Sequence, residues 1–353
     1  MEATATKPTR EELVNFTGRT DEYFKIWIVN TALTLVTLGI YSAWAKVRKL
    51  RYFYGKTEIA GSTFDYHAKP VAILIGRIIA VGMLIAYYLS SNIHPFAPMI
   101  IIFIIFLAMP YLVVRSRIFN LRNTSYRNIR FNFRDAYADS FKAFYGGALA
   151  TVFSLGLASP TALYWRNKFA IDNSGFGRTL FRFHGEHSRF YRIVYAAFVI
   201  TVVGILLYAL LIGIVAPLVT LAPGSETTRI GEIFVTILTL GIFAVYAVVG
   251  VYVQVRLRNY TYSNSTLGNN KCVSTLSVRD MLVLYATNAL AIAFSLGLLT
   301  PWAQIRMAKY RADNTLVLLA DDWEDYVSAK NHGGSALGDE IGDIFDVDVD
   351  FGF

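Results

Sequence analysis

Residues 295–310 read SLGLLTPWAQIRMAKY, and nearly the same phrase stands at 154–169 (SLGLASPTALYWRNKF) and at 37–52 (TLGIYSAWAKVRKLRY). In each, a Leu-Gly pair is followed by a hydroxyl residue: Gly39 and Ser42, Gly156 and Ser159, Gly297 and Thr300. Glycine takes the left-handed backbone beyond a helix end cheaply. Ser and Thr are favoured N-caps, and Pro160 and Pro301 suit a first helical position. The phrase therefore predicts helix, tight turn, helix. Working outward, the three copies align over much of the chain. Eight residues before each Leu stand Asn30, Gly147 and Asn288, and eight before those stand Glu22, Asp139 and Asp280. An acidic residue there suits a helix N-terminus. A cation recurs at Arg51, Lys168 and Lys309. The middle copy departs from the pattern, with Gly147 for Asn, Thr161 for Trp and Trp165 for Arg.

The composition points to a membrane. The chain of 353 residues is 55% hydrophobic and 16% charged, whereas soluble domains carry about 25% charged residues. Apolar runs at 71–89, 98–114, 193–222 and 233–253 approach or exceed the roughly 20 residues that cross a bilayer core. They predict two membrane hairpins, 71–114 and 193–253. Flanking these hairpins lie the polar stretches TEIAGSTFDYH, NTSYRNIRFNF, NSGFGRTLFRFH and NYTYSNSTLG. Their Thr, Tyr and Phe content with Gly or Asn punctuation reads as short strands or hairpins.

The expected fold class is an α-helical polytopic membrane protein with internal repeats. It has four spanning helices in two hairpins, three broken phrase helices that re-enter or span, and short cytoplasmic β-strands. The expected division is a disordered N-terminus at 1–13, a first repeat at 14–130 with its broken helix at 22–54, and a second at 131–272 with its broken helix at 139–169. A partial third repeat follows at 273–326, with its broken helix at 280–311. The stretch 327–353 is expected to be a disordered acidic tail, because ten acidic residues and a single lysine, Lys330, follow from Asp321 onward. The rest of the chain then holds 32 basic and 15 acidic residues.

Charge also bears on orientation. With Arg77 set aside, Lys and Arg would divide 18 inside and 14 outside if the phrase helices crossed the membrane; if they enter and leave on one face, the division is 31 and one. The positive-inside rule favours the second arrangement, with basic segments and C-terminal tail cytoplasmic. The opening residues lack the apolar stretch of a cleavable signal peptide. The lone Cys272 rules out an internal disulfide framework. No His/Cys cluster has zinc spacing, so no metal or other cofactor is expected. No nucleophile elbow, phosphate-cradling loop or paired carboxylate appears in the membrane region, so no catalytic residues are assigned and a non-enzyme is expected. Nothing in the chain carries a nucleic-acid-binding signature.

The stretch TLGIYSAWAKVRKLRYFYGKTEIAGSTFDYH, with SLGLLTPWAQIRMAKYRADNT near the end, resembles the YjgN-like family of bacterial inner-membrane proteins, a family of unknown function. The resemblance covers about residues 14–326. It implies a multi-pass protein of the bacterial inner membrane and supplies no catalytic residues.

Two sets of residues are functional candidates. Arg77 interrupts an apolar run, and Asn30 and Asn288 sit within apolar helices. Polar groups at membrane depth mark substrate paths by default, so these three are expected to line a site for a small or amphipathic substrate. The second set lies on the cationic aromatic helices. Trp44 and Trp302 are expected as interfacial anchors, with Arg48, Arg51, Lys168, Arg306 and Lys309 meeting anionic lipid headgroups. On that basis a structural or envelope role, holding lipid or partner proteins, is the alternative to substrate binding.

Overall fold

The computed structural model describes the backbone of residues 10–220 and 226–320, with side chains over 10–214 and 241–320. Expectations for residues 1–9 and for the acidic tail lie outside the described residues. The chain opens with β1 (Arg10–Leu13) and β2 (Asn15–Phe16), then the helices α1 (Thr20–Val36) and α2 (Ser42–Gly55). A hairpin of β3 (Thr57–Ile59) and β4 (Ser62–Tyr66) leads to α3 (Pro70–Ser90) and α4 (Ala97–Arg122). The hairpin β5 (Thr124–Tyr126) and β6 (Ile129–Phe133) precedes α5 (Tyr137–Phe141), a π-helical segment (Lys142–Gly146), α6 (Gly147–Phe153) and α7 (Ser159–Asp172). Next come β7 (Ser174–Phe176), β8 (Thr179–Phe183), α8 (His187–Thr220) and α9 (Glu226–Ser263). The described chain ends with β9 (Ser265–Leu267), β10 (Asn270–Ser274), α10 (Val278–Phe294), α11 (Thr300–Asp313) and β11 (Thr315–Leu319). Among the described residues four helices are long and apolar enough to cross a membrane: Pro70–Ser90, Ala97–Arg122, His187–Ile214 and Gly241–Ser263.

The strands overturn the expected fold class. They do not stand apart as short cytoplasmic pieces in a helical protein organised by internal repeats. All eleven join one antiparallel sheet in the order β1-β11-β10-β9-β8-β7-β6-β5-β4-β3-β2. The sheet runs unbroken through residues 130 and 272, where repeat boundaries were expected. Each hairpin presents an outer edge, and an unpaired edge leaves N–H and C=O groups open. The next hairpin fills it: β4 pairs with β5, β6 with β7 and β8 with β9. Two-residue loops set the hairpins, with positive φ at both Ala60-Gly61 and Arg127-Asn128, the mirror-image turn that suits strand twist.

The remaining two edges meet through the first strand. β1 pairs with β11, β2 pairs with β3, and only Val14 separates β1 from β2. Val14 is buried, and its N–H donates to the Thr315 carbonyl at 3.1 Å. The sheet therefore closes on itself as a ring. This also corrects the expectation of disorder at 1–13 as far as residues 10–13 are concerned. Arg10–Leu13 is mostly polar and exposed, yet it is held by four register partners on β11.

Every helix that feeds the ring leaves it by the same local chemistry. Thr57, Thr124, Ser174, Ser265 and Thr315 donate their hydroxyls to the carbonyl four residues back, at 2.6–3.1 Å. In four cases the preceding Asn (Asn123, Asn173, Asn264 and Asn314) does likewise through its amide. The last carbonyls of a helix have no partner within it. These side chains satisfy them while the backbone turns into a strand. Inside the ring the core gathers Val14, Phe16, Ile59, Phe64, Tyr126 and Phe176, among others.

The three phrase turns share one backbone shape. Leu38, Leu155 and Leu296 take φ of 49–52°, and the glycines after them take 92–93°. The glycine N–H reaches five residues back, to Thr34, Thr151 and Ile292 carbonyls at 2.7–2.8 Å. This is a Schellman termination in which leucine, not glycine, holds the first left-handed position. The capping hydroxyl also differs from expectation. Thr37, Ser154 and Ser295 accept the N–H that begins the next helix, from Tyr41, Ala158 and Leu299 at 2.7–2.9 Å. Ser42, Ser159 and Thr300 are the first helical residues instead. Ser42 and Thr300 donate back to the carbonyls of Gly39 and Gly297. The turn leucines are 93–94% exposed, so the tips project apolar side chains away from the protein body.

Gly147 shows where a glycine is required by space. A Cβ there would lie 2.9 Å from the Ala162 Cβ, whereas one at Gly39 meets nothing within 4 Å. Gly147→Ala is expected to destabilise by about 1–3 kcal/mol through overpacking. Thermal unfolding checks this, and an unchanged midpoint would contradict the close approach of α6 to α7.

Candidate functional site

Above the strands the helices form a second ring. Each packs on its neighbour in the chain, and α11 returns to α1. The Tyr23 hydroxyl on α1 donates to Gln304 Oε1 on α11 at 2.8 Å and fastens that last contact. Every helical pair leaves from the sheet and comes back to it. The pairs α1–α2 and α10–α11 each bury one Asn, Asn30 or Asn288, at their inner face.

Each of these asparagines serves one arginine. Arg48 donates from Nη1 to Asn30 Oδ1 at 3.3 Å and to the Tyr41 hydroxyl at 3.1 Å. Arg306 donates from Nη1 to Asn288 Oδ1 at 3.2 Å and to Thr287 Oγ1 at 2.5 Å. Its guanidinium also lies 5.2 Å from the Trp302 ring centre. Asn288 is fixed in turn by donating to the Ala303 carbonyl at 3.4 Å. A buried amide with its oxygen aimed at a guanidinium orients that cation without neutralising it. The contacts described for Arg48 and Arg306 are amide, hydroxyl and aromatic groups, all uncharged. In the middle phrase the pair is absent: Gly147 lies against Ala162, and Trp165 lies against Gly146.

The structure thus joins residues that sequence reasoning assigned to different tasks. Asn30 and Asn288 were placed with a substrate, and Arg48 and Arg306 with lipid; they are two matched pairs. Arg77 belongs to neither. Its Nη1 donates to the Ser42 hydroxyl, which bonds the Gly39 carbonyl, so it ties the first long helix to the first turn. Arg51 donates to the Tyr66 and Ala68 carbonyls at 3.2 and 3.3 Å and pins the exit from β4. Trp44 packs into the buried cluster around Ala43 and Val47 and stacks on Tyr41 at 6.0 Å. Lys168 is exposed and sits 5.9 Å from the Tyr164 ring centre, and Lys309 is exposed. Tyr41 and Thr287 were missed as partners of the arginines. The signal for the pairs themselves was the shared interval of eighteen residues from Asn to Arg. Among the described residues no cluster of His, Cys, Asp and Glu could hold a metal ion.

Comparison with known proteins fits this picture. The chain is 24% identical over 360 residues to the inner membrane protein YjgN of Salmonella typhimurium (strain LT2), covering 89% of this chain and 90% of that protein. The Escherichia coli (strain K12) protein of the same name matches over 119 residues at 26% identity, a third of this chain and 30% of its own length. No solved structure matches. A family model described as a bacterial protein of unknown function matches residues 11–344. That span takes in both helical pairs with their Asn–Arg contacts and all of the sheet but Arg10, so the chain belongs to this family, DUF898.

Proposed function

We propose that this protein is a multi-pass protein of the bacterial inner membrane that binds, and carries, an anionic amphiphile of the phospholipid class. Arg48 and Arg306 receive the headgroup, Asn30 and Asn288 position them, and the exposed apolar faces of the phrase helices take the chains. The observation behind this reading is the two matched guanidinium groups whose described partners are all neutral. A cation in the membrane layer is costly unless paired, and a phosphate oxygen is the natural complement to a guanidinium fork. The relatives named as inner membrane proteins support the location. The orientation rests on charge. Basic residues crowd the sheet-side ends of the helices, whereas the loop between α3 and α4 has no Lys or Arg. By the positive-inside rule the sheet side faces the cytoplasm.

The test is lipid retention by the double variant R48Q/R306Q. Charge-assisted hydrogen bonds contribute about 1.5–3 kcal/mol each, so affinity for anionic lipid should fall roughly tenfold or more for each arginine. Mass spectrometry of lipid co-purified with the folded variant should show depleted phosphatidylglycerol and cardiolipin. An unchanged complement at an unchanged melting temperature removes the proposal. The exposed Lys49, Lys168 and Lys309 favour a second reading, a structural role in which the cationic helix ends hold lipid or a partner protein. In that case charge reversal at Lys168 and Lys309 strips the lipid and R48Q/R306Q does not.

A further inference from the structure

The four β-hairpins place side chains inside the ring in two ranks. The third residue of each hairpin (Ile59, Tyr126, Phe176 and Leu267) is buried there. The eighth is Phe64, Phe131, Phe181 and, in the last hairpin, Cys272. Register makes rungs of them: Phe64 opposite Tyr126, Phe131 opposite Phe176, Phe181 opposite Leu267 and Cys272 opposite Val317. Three rungs therefore hold a benzene ring in a place where the fourth holds a thiol. A cavity of about 160 Å³ lies inside the ring, lined by all four rungs. It reaches the helix ends at Tyr54, Leu121 and Ile171, of which Leu121 stands in the last turn of the long apolar helix α4.

We propose that this cavity is a binding site for an uncharged, ring-sized apolar group of a molecule dissolved in the membrane. Its volume is close to that of apolar protein cavities of about 150 Å³ that stay dry and take up benzene. Aromatic and aliphatic side chains dominate the lining, with Asn270 and Lys271 among its few polar members, so an uncharged apolar group fits most of the surface and burying a charge against it is costly. Burial pushes the Cys272 thiol up to about 12, so at neutral pH it is a small apolar wall and not a nucleophile. Entry from the helix side follows from the apolar residues at that end. The site is separate from the Asn–Arg pairs, and its test does not depend on them.

p-Xylene is the probe, added to the full-length protein in detergent while thermal unfolding is followed. A ligand that binds only the folded state raises the melting temperature, so wild type should gain a few degrees. Cys272→Ala keeps the space and should keep the gain. Cys272→Phe should fill the space, raise the midpoint without ligand and abolish the response. Val317→Phe fills the same rung from the facing strand and should act alike. R48Q/R306Q should respond as wild type does. Equal shifts in every variant would show partitioning into the micelle and overturn the proposal, as would no shift in wild type. Loss of the response in Cys272→Ala would assign recognition to the thiol and also overturn it. Unfolding of both filling variants would show that no room exists, with the same result.

Discussion

Val14→Pro is expected to open the sheet at both of its closing edges and to lower the melting temperature by several degrees. The buried Val14 links β1, paired to the last strand, with β2, paired to the third. Proline removes the N–H that reaches the Thr315 carbonyl. A proline that deletes an internal backbone hydrogen bond costs about 3 kcal/mol or more. An unsatisfied buried carbonyl contributes about 1–3 kcal/mol of such a loss. Set against the roughly 5–15 kcal/mol that separates folded from unfolded in ordinary domains, this is a large fraction from one residue. Amide hydrogen exchange gives the decisive readout. Protection should fall together in Thr57–Ile59 and Thr315–Leu319, although these strands are far apart in the chain. Loss confined to Thr315–Leu319 would mean that the two edges are independent and the ring is not one cooperative unit.

Phe176→Ala should cost more. Phe176 is 1% exposed, with ring centroids 4.9 Å from Phe131 and 6.2 Å from Tyr126. Truncating a buried Phe costs about 3–5 kcal/mol, combining lost transfer energy with the hole left behind. The loss should exceed that of a proline at the seam, because Phe131 and Tyr126 lose their ring contacts in a place too constrained by the closed backbone to collapse. Enlarging the existing cavity also makes the variant more responsive to apolar probes. p-Xylene should recover a larger part of the lost stability in Phe176→Ala than it adds to wild type. A variant within about 1 kcal/mol of wild type, well below this range, would mean that the ring interior is not a packed core.

The helices were legible because their signals are local. Apolar runs set the four long ones, and Thr/Ser-Leu-Gly set the three breaks, even though Leu38 takes the left-handed place expected of Gly39. The closed sheet was not legible. Its strands are two to five residues long, too short for alternation to declare itself, and its seam pairs Arg10 with Leu319. No local pattern announces a contact at that separation. One local signal went unused: Asn-Thr or Asn-Ser recurs at 123–124, 173–174, 264–265 and 314–315, marking four of the five passages from helix to strand. The candidate site was legible in halves. Asn30 and Arg48 were both singled out, and the middle phrase loses its Asn and its Arg together, as Gly147 and Trp165. Two positions that change in concert are what a shared contact produces. For Arg77 the depth was visible in the sequence, whereas its contact with Ser42 was not.

Because the seam joins residue 10 to residue 319, order of synthesis matters. Domains generally fold from the N-terminus as they leave the ribosome. Here the hairpins can insert one after another, but the first strand must wait for the last. Until β11 has been made, β2 has its partner while β1 has none. A product truncated before β11 therefore keeps an exposed edge that quality-control proteases can seize, and only a chain that extends through Leu319 locks itself shut.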